Sequence, residues 1–146
     1  MNRVSFRAEE VPLPAWQKRA KAYILQILDS LSRDRWDLSV LFCSNNRIRE
    51  LNSQYRKKNQ ATDILTFIQG SMYRGRYLAG DIVISLETLE DNAAYFGVSP
   101  DEELRRLLIH GILHLDNMDH RTNETAEPML QLQEKILAEH AGVLII

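Results

Sequence analysis

Three of the four histidines in this chain lie close together in the segment HGILHLDNMDH, which spans residues 110–120. His110 and His114 are four residues apart on a predicted helix, so they lie about 40° apart around its axis and one turn apart along it. His120 would point roughly 240° away from His114 if the helix continued. The helix must therefore end between them if the three rings are to meet. Asn117 is the predicted end, because asparagine readily adopts the left-handed conformation that terminates helices.

Three neutral imidazoles and one open position are the ligand set of a catalytic zinc ion. The spacing therefore predicts one zinc ion per chain, bound by His110, His114 and His120, with a water in the open position whose pKa the ion lowers to about 7. Nickel and other divalent ions remain alternatives. Incidental helix and turn histidines are the structural alternative. The carboxylates expected to orient the imidazoles are those of Asp116, Asp119 and Glu124.

The histidine spacing also matches that of the zinc protease signature H-E-x-x-H-x-x-G-x-x-H. In those proteases the glutamate after the first histidine is the general base, and Gly111 stands at that position here. Peptide hydrolysis by that mechanism is therefore not expected. Gly111 instead saves volume on its helix face and allows a strand or an ion to approach, at a helix-propensity cost of about 1 kcal/mol.

The elements that must position these histidines follow from hydrophobic periodicity. Strands are predicted at 3–8, 38–43, 63–68 and 79–85. Helices are predicted at about 15–31, after Ser44, at 86–96, from Pro100 through the histidine pair, and at about 125–140. Residues 69–77 are predicted to be a turn or exposed loop. The order β-α-β-α-β-β-α-α-α predicts an α+β or mixed α/β fold, with a single domain over 1–146 and a mixed sheet of about four strands packed with about five helices.

Local signals define the ends of several helices. Ser99, Pro100 and Glu102 suit the N-cap, first and third positions of the histidine-bearing helix and form a capping-box pattern. Gly97 is expected to end the preceding helix. His140 is expected to stabilise the C-terminal end of the last helix through its dipole and not to bind metal.

Three segments carry a resemblance to a known family. The histidine segment resembles the signature H-G-x-L-H-L-x-G-Y-D-H of the YbeY family, the metal-dependent endoribonucleases of bacterial ribosomal RNA maturation. LNSQYRKKNQATDILTF at 51–67 and GDIVIS at 80–85 are similar to two further blocks of that family, in the same order. This sequence has Asn117-Met118 in place of the family's Gly-Tyr, and Ala61 and Ile68 where prolines are usual. Asn117 is expected to preserve the turn.

The resemblance implies that His110, His114 and His120 bind the metal and that Arg56 is a functional arginine. Physical chemistry agrees with a role for Arg56, because a guanidinium can hold two nonbridging phosphate oxygens as charge builds on them in the transition state. The structural alternative is a solvated basic helix end favoured by the helix dipole. The neighbouring Lys57 and Lys58 are expected to be solvated, with secondary phosphate contacts.

The segment 70–77 offers a second candidate contact with RNA. Arg74 and Arg76 alternate there with Tyr73 and Tyr77, and single-stranded RNA is commonly held by such a mixture of charge and aromatic faces. A solvated hairpin tip is the favoured alternative.

Bulk composition narrows the class of protein. The net charge of -2 argues against charge-driven coating of nucleic acid. The single cysteine, Cys43, lies in an apolar run and is expected to be buried, and no disulfide can form within the chain. The first ten residues contain no apolar segment of the secretory type and no apolar run approaches the length of a membrane span, so neither a secretory signal nor a membrane helix is expected and a cytoplasmic location is predicted.

Together these features predict a zinc-dependent endoribonuclease that cuts single-stranded RNA, with ribosomal RNA precursors as substrate and the ribosome or ribosomal proteins as further partners. Either a metal-activated water or an internal 2′-hydroxyl attacks phosphorus, and Asp119 is a candidate general base. Two alternatives stay open: a metal-dependent hydrolase of peptides or small substrates, and a ribosome-associated RNA-binding protein with structural zinc.

Overall fold

The computed structural model describes residues 1–120, 122–124 and 126–146. The strands are β1 (Arg3–Glu9), β2 (Trp36–Cys43), β3 (Ile64–Tyr73) and β4 (Arg76–Ser85). The helices are α1 (Gln17–Ser30), α2 (Asn45–Arg56), α3 (Leu86–Phe96), α4 (Pro100–Leu115) and α5 (Pro128–Glu139). The predicted order of elements is confirmed. The predicted start of the last helix at Thr125 lies outside the described residues.

The four strands form one mixed sheet in the order β1-β2-β4-β3. β1, β2 and β4 are parallel, and β3 pairs antiparallel with β4 as a hairpin. This arrangement confirms the predicted α+β fold with a mixed sheet of four strands and five helices. Two parallel neighbouring strands must be joined by a crossover connection. Helix α1 lies in the connection from β1 to β2, and α2 lies in the connection that follows β2.

The two faces of the sheet bury different sets of residues, because successive side chains of a strand point to opposite faces. Val40 and Phe42 of β2 belong to the main core, which also contains the buried sides of α1, α4 and α5. Leu41 and Cys43 belong to a smaller cluster with residues of α2. The histidine-bearing helix α4 therefore packs on one face of the sheet, and α2 packs on the other.

The prediction that residues 69–77 form a loop was wrong for most of that segment. β3 continues to Tyr73 and β4 begins at Arg76, which leaves a two-residue turn. Arg74 and Gly75 both have positive φ, at 50° and 76°, as a tight hairpin turn requires. The strand was missed because its outer half is exposed on both faces, so it lacks the alternation of apolar and polar residues that marks a half-buried strand.

The start of α4 follows the predicted capping signals. The Ser99 hydroxyl accepts a hydrogen bond from the Glu102 amide at 3.0 Å, and Pro100 occupies the first turn. The reciprocal half of the capping box is not used, since the Glu102 carboxylate accepts from Arg106 at 3.3 Å. Among the described residues, no helix combines the length and the apolar character needed to cross a membrane.

Candidate metal centre

Helix α4 presents His110 and His114 on one face, as their spacing predicted. Their ring centroids are 4.6 Å apart and their Nε2 atoms lie 3.0 Å from each other. Both residues lie in the last two turns of a helix that is otherwise buried over most of its length. The packed helix therefore holds two imidazoles at the spacing from which a single ion can be bound.

The chain then reverses in a Schellman motif. The Asn117 amide donates to the His114 carbonyl at 3.0 Å, and the Met118 amide donates to the Leu113 carbonyl at 3.0 Å. Asn117 has a φ of 65°, the left-handed conformation that this motif requires at its first residue past the cap. The predicted helix end at Asn117 is confirmed.

This reversal brings His120 back over the helical pair. Its ring centroid lies 5.2 Å from that of His110 and 5.6 Å from that of His114. One ligand atom from each of the three residues lies within 4.8 Å of the others. Within 1–120, 122–124 and 126–146, no carboxylate or thiol joins them at that range.

The Nδ1 atom of each of the three imidazoles makes a hydrogen bond that fixes the orientation of its ring. Nδ1 of His110 lies 2.6 Å from the Gln133 side-chain oxygen, Nδ1 of His114 lies 3.0 Å from the Met118 carbonyl, and Nδ1 of His120 lies 2.8 Å from the Thr122 carbonyl. Each oxygen can only accept, so each Nδ1 carries the proton and donates. Each Nε2 therefore keeps its lone pair for a metal ion.

The acceptors are an amide and two backbone carbonyls, and not the carboxylates that the sequence suggested. Asp116 instead receives two hydrogen bonds from Arg33, each of 3.0 Å. The Asp119 carboxylate accepts from the backbone amide of His120 at 2.8 Å. Glu124 is exposed. Asp119 thus supports the backbone of the third histidine and leaves its ring to the Thr122 carbonyl.

Burial keeps the helical pair neutral. Desolvation lowers the pKa of His110 below its usual value of 6.5, against the opposing effect of the bond to Gln133. Desolvation also lowers the pKa of His114, and the neighbouring charge of His110 acts in the same direction. Only neutral imidazole can ligate a metal, so the cluster suits a divalent ion at neutral pH.

Gln133 is the functional residue that sequence reasoning missed. It is buried on α5, where the other buried residues are Met129, Ile136 and Leu137. A glutamine at an apolar position of a helix was the available signal, because buried polar side chains almost always have a hydrogen-bond partner. The sequence could not show that His110 is that partner, because α5 and α4 come together only when the chain folds.

Two cavities flank the histidines. One, of about 340 Å³, is lined by residues that include Arg56, Thr66, His114 and Asp119. The other, of about 430 Å³, is lined by residues that include Asp63, His110 and His120. The Asp63 carboxylate accepts from the Asn92 side chain at 3.2 Å. The candidate site is therefore a groove with a cavity on either side of the three histidines.

Arg56 is the last residue of α2 and reaches this groove across the edge of the sheet. Its guanidinium donates to the Thr66 carbonyl of β3 at 2.9 Å. That bond uses one of the five donors of the guanidinium and leaves others available to a ligand. Arg56 and His114, which are far apart in sequence, thus line one cavity.

Comparison with known proteins agrees with this geometry. The family model described as "Endoribonuclease YbeY" matches residues 3–141. The chain is 42% identical to an Endoribonuclease YbeY of Treponema pallidum over 99% of its own length and 93% of the relative's. It is 43% identical to one of Treponema denticola, over 97% of this chain and 94% of that one. The chain belongs to the YbeY family of endoribonucleases. It is therefore an enzyme of the RNA-cleaving hydrolase class.

The fold of this chain is also seen in a solved structure. The solution structure of a Thermotoga maritima protein superimposes with a TM-score of 0.67 at 29% identity, over 97% of this chain and 90% of that one. The departures from the YbeY signature are compatible with the site. Asn117 takes the left-handed turn, and the contact of Met118 with His114 is made by its backbone carbonyl, which any residue would offer.

The second candidate RNA contact, the 70–77 segment, divides into two parts. The Arg76 guanidinium donates to the Asp37 carboxylate at 2.7 Å, and the Tyr77 ring packs on Trp36. Both residues therefore have structural roles. Tyr73 and Arg74 remain at the hairpin tip, where the guanidinium stacks 5.2 Å above the ring.

Proposed function

We propose that this YbeY protein is a zinc-dependent endoribonuclease that cuts single-stranded ribosomal RNA precursors in the cytoplasm, in ribosome maturation or quality control. The observation that carries the proposal is the convergence of one ligand nitrogen from each of three histidines in a groove that Arg56 also lines. Ribosomes or ribosomal proteins are the further partners, and residues 1–146 act as one catalytic domain.

His110, His114 and His120 would hold the metal. Three neutral imidazoles with the remaining position left to solvent are the donor set of catalytic zinc sites. Zinc held there would supply Lewis acidity toward a phosphoryl oxygen and would acidify bound water. The Nδ1 bonds to Gln133, Met118 and Thr122 fix the three rings, so the site is largely formed before metal binds.

Arg56 would bind the scissile phosphate. Negative charge grows on the nonbridging oxygens as phosphorus is attacked, and a guanidinium can donate two parallel hydrogen bonds to them. The bond from Arg56 to the Thr66 carbonyl holds the group against β3, which reduces the entropy lost when it engages substrate.

Two routes of attack fit this site, and Asp119 is the candidate base for either. Its carboxylate lines the same cavity as Arg56 and His114. A water nucleophile would leave a linear phosphate at one new end, whereas an internal 2′-hydroxyl would leave a 2′,3′-cyclic phosphate. Mass spectrometry of the products, with an oligonucleotide carrying a single 2′-deoxy nucleotide at the cleavage position, separates the two routes.

The test combines metal content with cleavage of a labelled single-stranded RNA. His114→Ala should lose both zinc and activity. Arg56→Ala should keep its zinc and lose activity by roughly 100- to 1,000-fold, the typical effect of removing one transition-state donor. Arg49→Ala is the matched control, because Arg49 is an exposed arginine of the same helix that lies outside the cavity lining. It should retain nearly full activity.

The alternatives give different results. Cleavage of casein without cleavage of RNA would support a peptide hydrolase. If removal of zinc unfolds the chain while a folded His114→Ala protein supports normal processing of ribosomal RNA, the metal is structural. Accumulation of uncut ribosomal RNA precursor in cells that carry only Arg56→Ala would identify the natural substrate.

A further inference from the structure

A cavity with no role in the function proposed above lies beside the three histidines. It has a volume of about 640 Å³ and an apolar wall formed by Phe96, Val98 and Leu130. Phe96 is the last residue of α3, and 63% of its surface is exposed although it is a large aromatic residue. An exposed aromatic face in a concave site is typical of ligand binding.

This cavity is continuous with the metal site. It shares Glu103, Arg106, Asn123, Leu130 and Gln133 with the cavity that contains His110 and His120. Gln133 is also the residue that orients His110. A substrate strand that crosses the metal ligands from the Arg56 side therefore enters this apolar cavity next.

The charges in the cavity are unsuited to a phosphate. Arg106 donates to the Glu134 carboxylate at 3.0 Å and 3.1 Å and to Glu102 at 3.3 Å. A third carboxylate, that of Glu103, lies 3.6 Å from the same guanidinium. Among the described residues, three carboxylates thus surround this cation, so the guanidinium is already paired and a phosphate would meet negative charge. A neutral, planar group with its own N–H donors has the complementary chemistry.

We propose that the cavity lined by Phe96, Val98 and Leu130 is a nucleobase subsite, which receives the base of a nucleotide next to the scissile phosphodiester. This inference rests on the proposed RNA-cleaving function of the same groove. The base stacks on the Phe96 ring, and its amino or imino groups face the carboxylate and amide side chains of the opposite wall. Arg56 then holds the phosphate on one side of the metal while Phe96 holds a base on the other.

The test is a double-mutant cycle that combines a protein variant, Phe96→Ala, with an RNA variant that lacks one base. Binding of a fluorescently labelled single-stranded RNA oligonucleotide is measured by anisotropy, with a series in which one abasic nucleotide is moved along the strand. Phe96→Ala should weaken binding of intact RNA about tenfold, within the range found for single stacked bases. The wild-type protein should show a similar loss for an abasic nucleotide at one position beside the cleaved bond.

The expected signature is non-additivity, because the variant and the abasic nucleotide remove the same contact. Phe96→Ala should therefore bind that abasic RNA no more weakly than it binds intact RNA. Leu144→Ala is the control, since Leu144 is also a large hydrophobic residue, 62% exposed, but does not line the cavity. It should leave binding within about twofold of the wild type, a change smaller than the loss of one stacked base.

Two results would overturn the proposal. One is an unchanged affinity of Phe96→Ala for intact RNA. The other is that, at every abasic position, the fold-loss of affinity from the variant and the fold-loss from the abasic nucleotide multiply, as independent effects do. Cleavage is followed in the same samples. If wild type binds RNA with the expected non-additivity but does not cut it, the proposed function fails and the subsite stands. If the wild type cuts RNA and the non-additivity is missing, the proposed function stands and the subsite fails.

Discussion

Gly111 lies between His110 and His114 on α4, and its replacement by alanine tests how closely this helix must approach the sheet. A Cβ built on Gly111 would lie 2.9 Å from Cδ1 of Ile82 and 3.1 Å from both Cγ1 and Cγ2. Real side chains almost never approach so closely. Ile82 is fully buried in β4, so its side chain has little space into which to move. The helix or the strand must shift instead.

Two opposing effects decide the outcome. Alanine is favoured over glycine in a helix interior by about 1 kcal/mol. Overpacking a dense core costs about 1–3 kcal/mol. Since three atoms of one rigid residue are involved, we place the overpacking cost near the middle of its range. Gly111→Ala should therefore lower the free energy of unfolding by about 1 kcal/mol, which corresponds to a fall in Tm of about 2–4 °C at this chain length.

The assay is thermal and urea unfolding of metal-free protein, so that metal binding does not contribute to stability. Ile82→Val removes Cδ1, the atom of the closest contact, and should by itself cost about 1 kcal/mol. In that background Gly111→Ala should be less destabilising than in the wild type by at least about 0.5 kcal/mol. A rise in Tm on Gly111→Ala in the wild-type background, with no coupling to Ile82→Val, would show that the helix does not need its close approach.

Three further predictions follow from buried groups and from the turn. Burial raises the pKa of Asp101, but hydrogen bonds from the amides of residues 146 and 145 and from Arg105 outweigh it and lower the pKa below 3.8; Asp101→Ala should cost about 3 kcal/mol near neutral pH. As pH falls, Asp101 binds its proton in the unfolded chain before it does so in the folded protein. Its stabilising effect is therefore full above the unfolded pKa of 3.8 and is lost as pH falls through the lower folded pKa. The free energies of unfolding of the wild type and Asp101→Ala, measured by urea titration, should converge in acid. Burial, reinforced by the charge of Glu9, raises the pKa of the Cys43 thiol to about 12, so a thiol reagent at mildly alkaline pH should react only after denaturant is added. Asn117→Ala should cost about 1 kcal/mol, because alanine is strained in the left-handed conformation, and should weaken zinc binding, whereas Asn117→Gly should preserve both; equal zinc affinity for all three proteins would refute the role of the turn.

Much of this site could be predicted from sequence because its signals are local. The spacing of His110 and His114 defines a helix face, and Asn117 marks the place where that helix ends. Both features depend on neighbouring residues only. The position of His120 follows from them, because a reversal immediately after a helix leaves its next few residues beside the last turn.

The residues that were not predicted act across elements. Gln133 meets His110 only because α5 lies along α4, and Phe96 borders the apolar cavity only because the end of α3 and the start of α5 line it together. A single sequence records the chemistry of these side chains but not which helix lies opposite. The outer half of β3 was missed for a related reason. Its pairing with β4 is made by backbone groups, which carry no side-chain pattern.

The three histidines are held in two different ways. His110 and His114 are held by a helix that is buried against the sheet, whereas His120 lies on the segment after the turn, held by the Asp119 carboxylate and the Thr122 carbonyl. The three rings can come together only if the turn at Asn117 is made. Formation of the histidine cluster therefore depends on the conformation of one residue past the helix end. Cavities lie on either side of the histidines, and the proposed function requires a strand of RNA to cross between them.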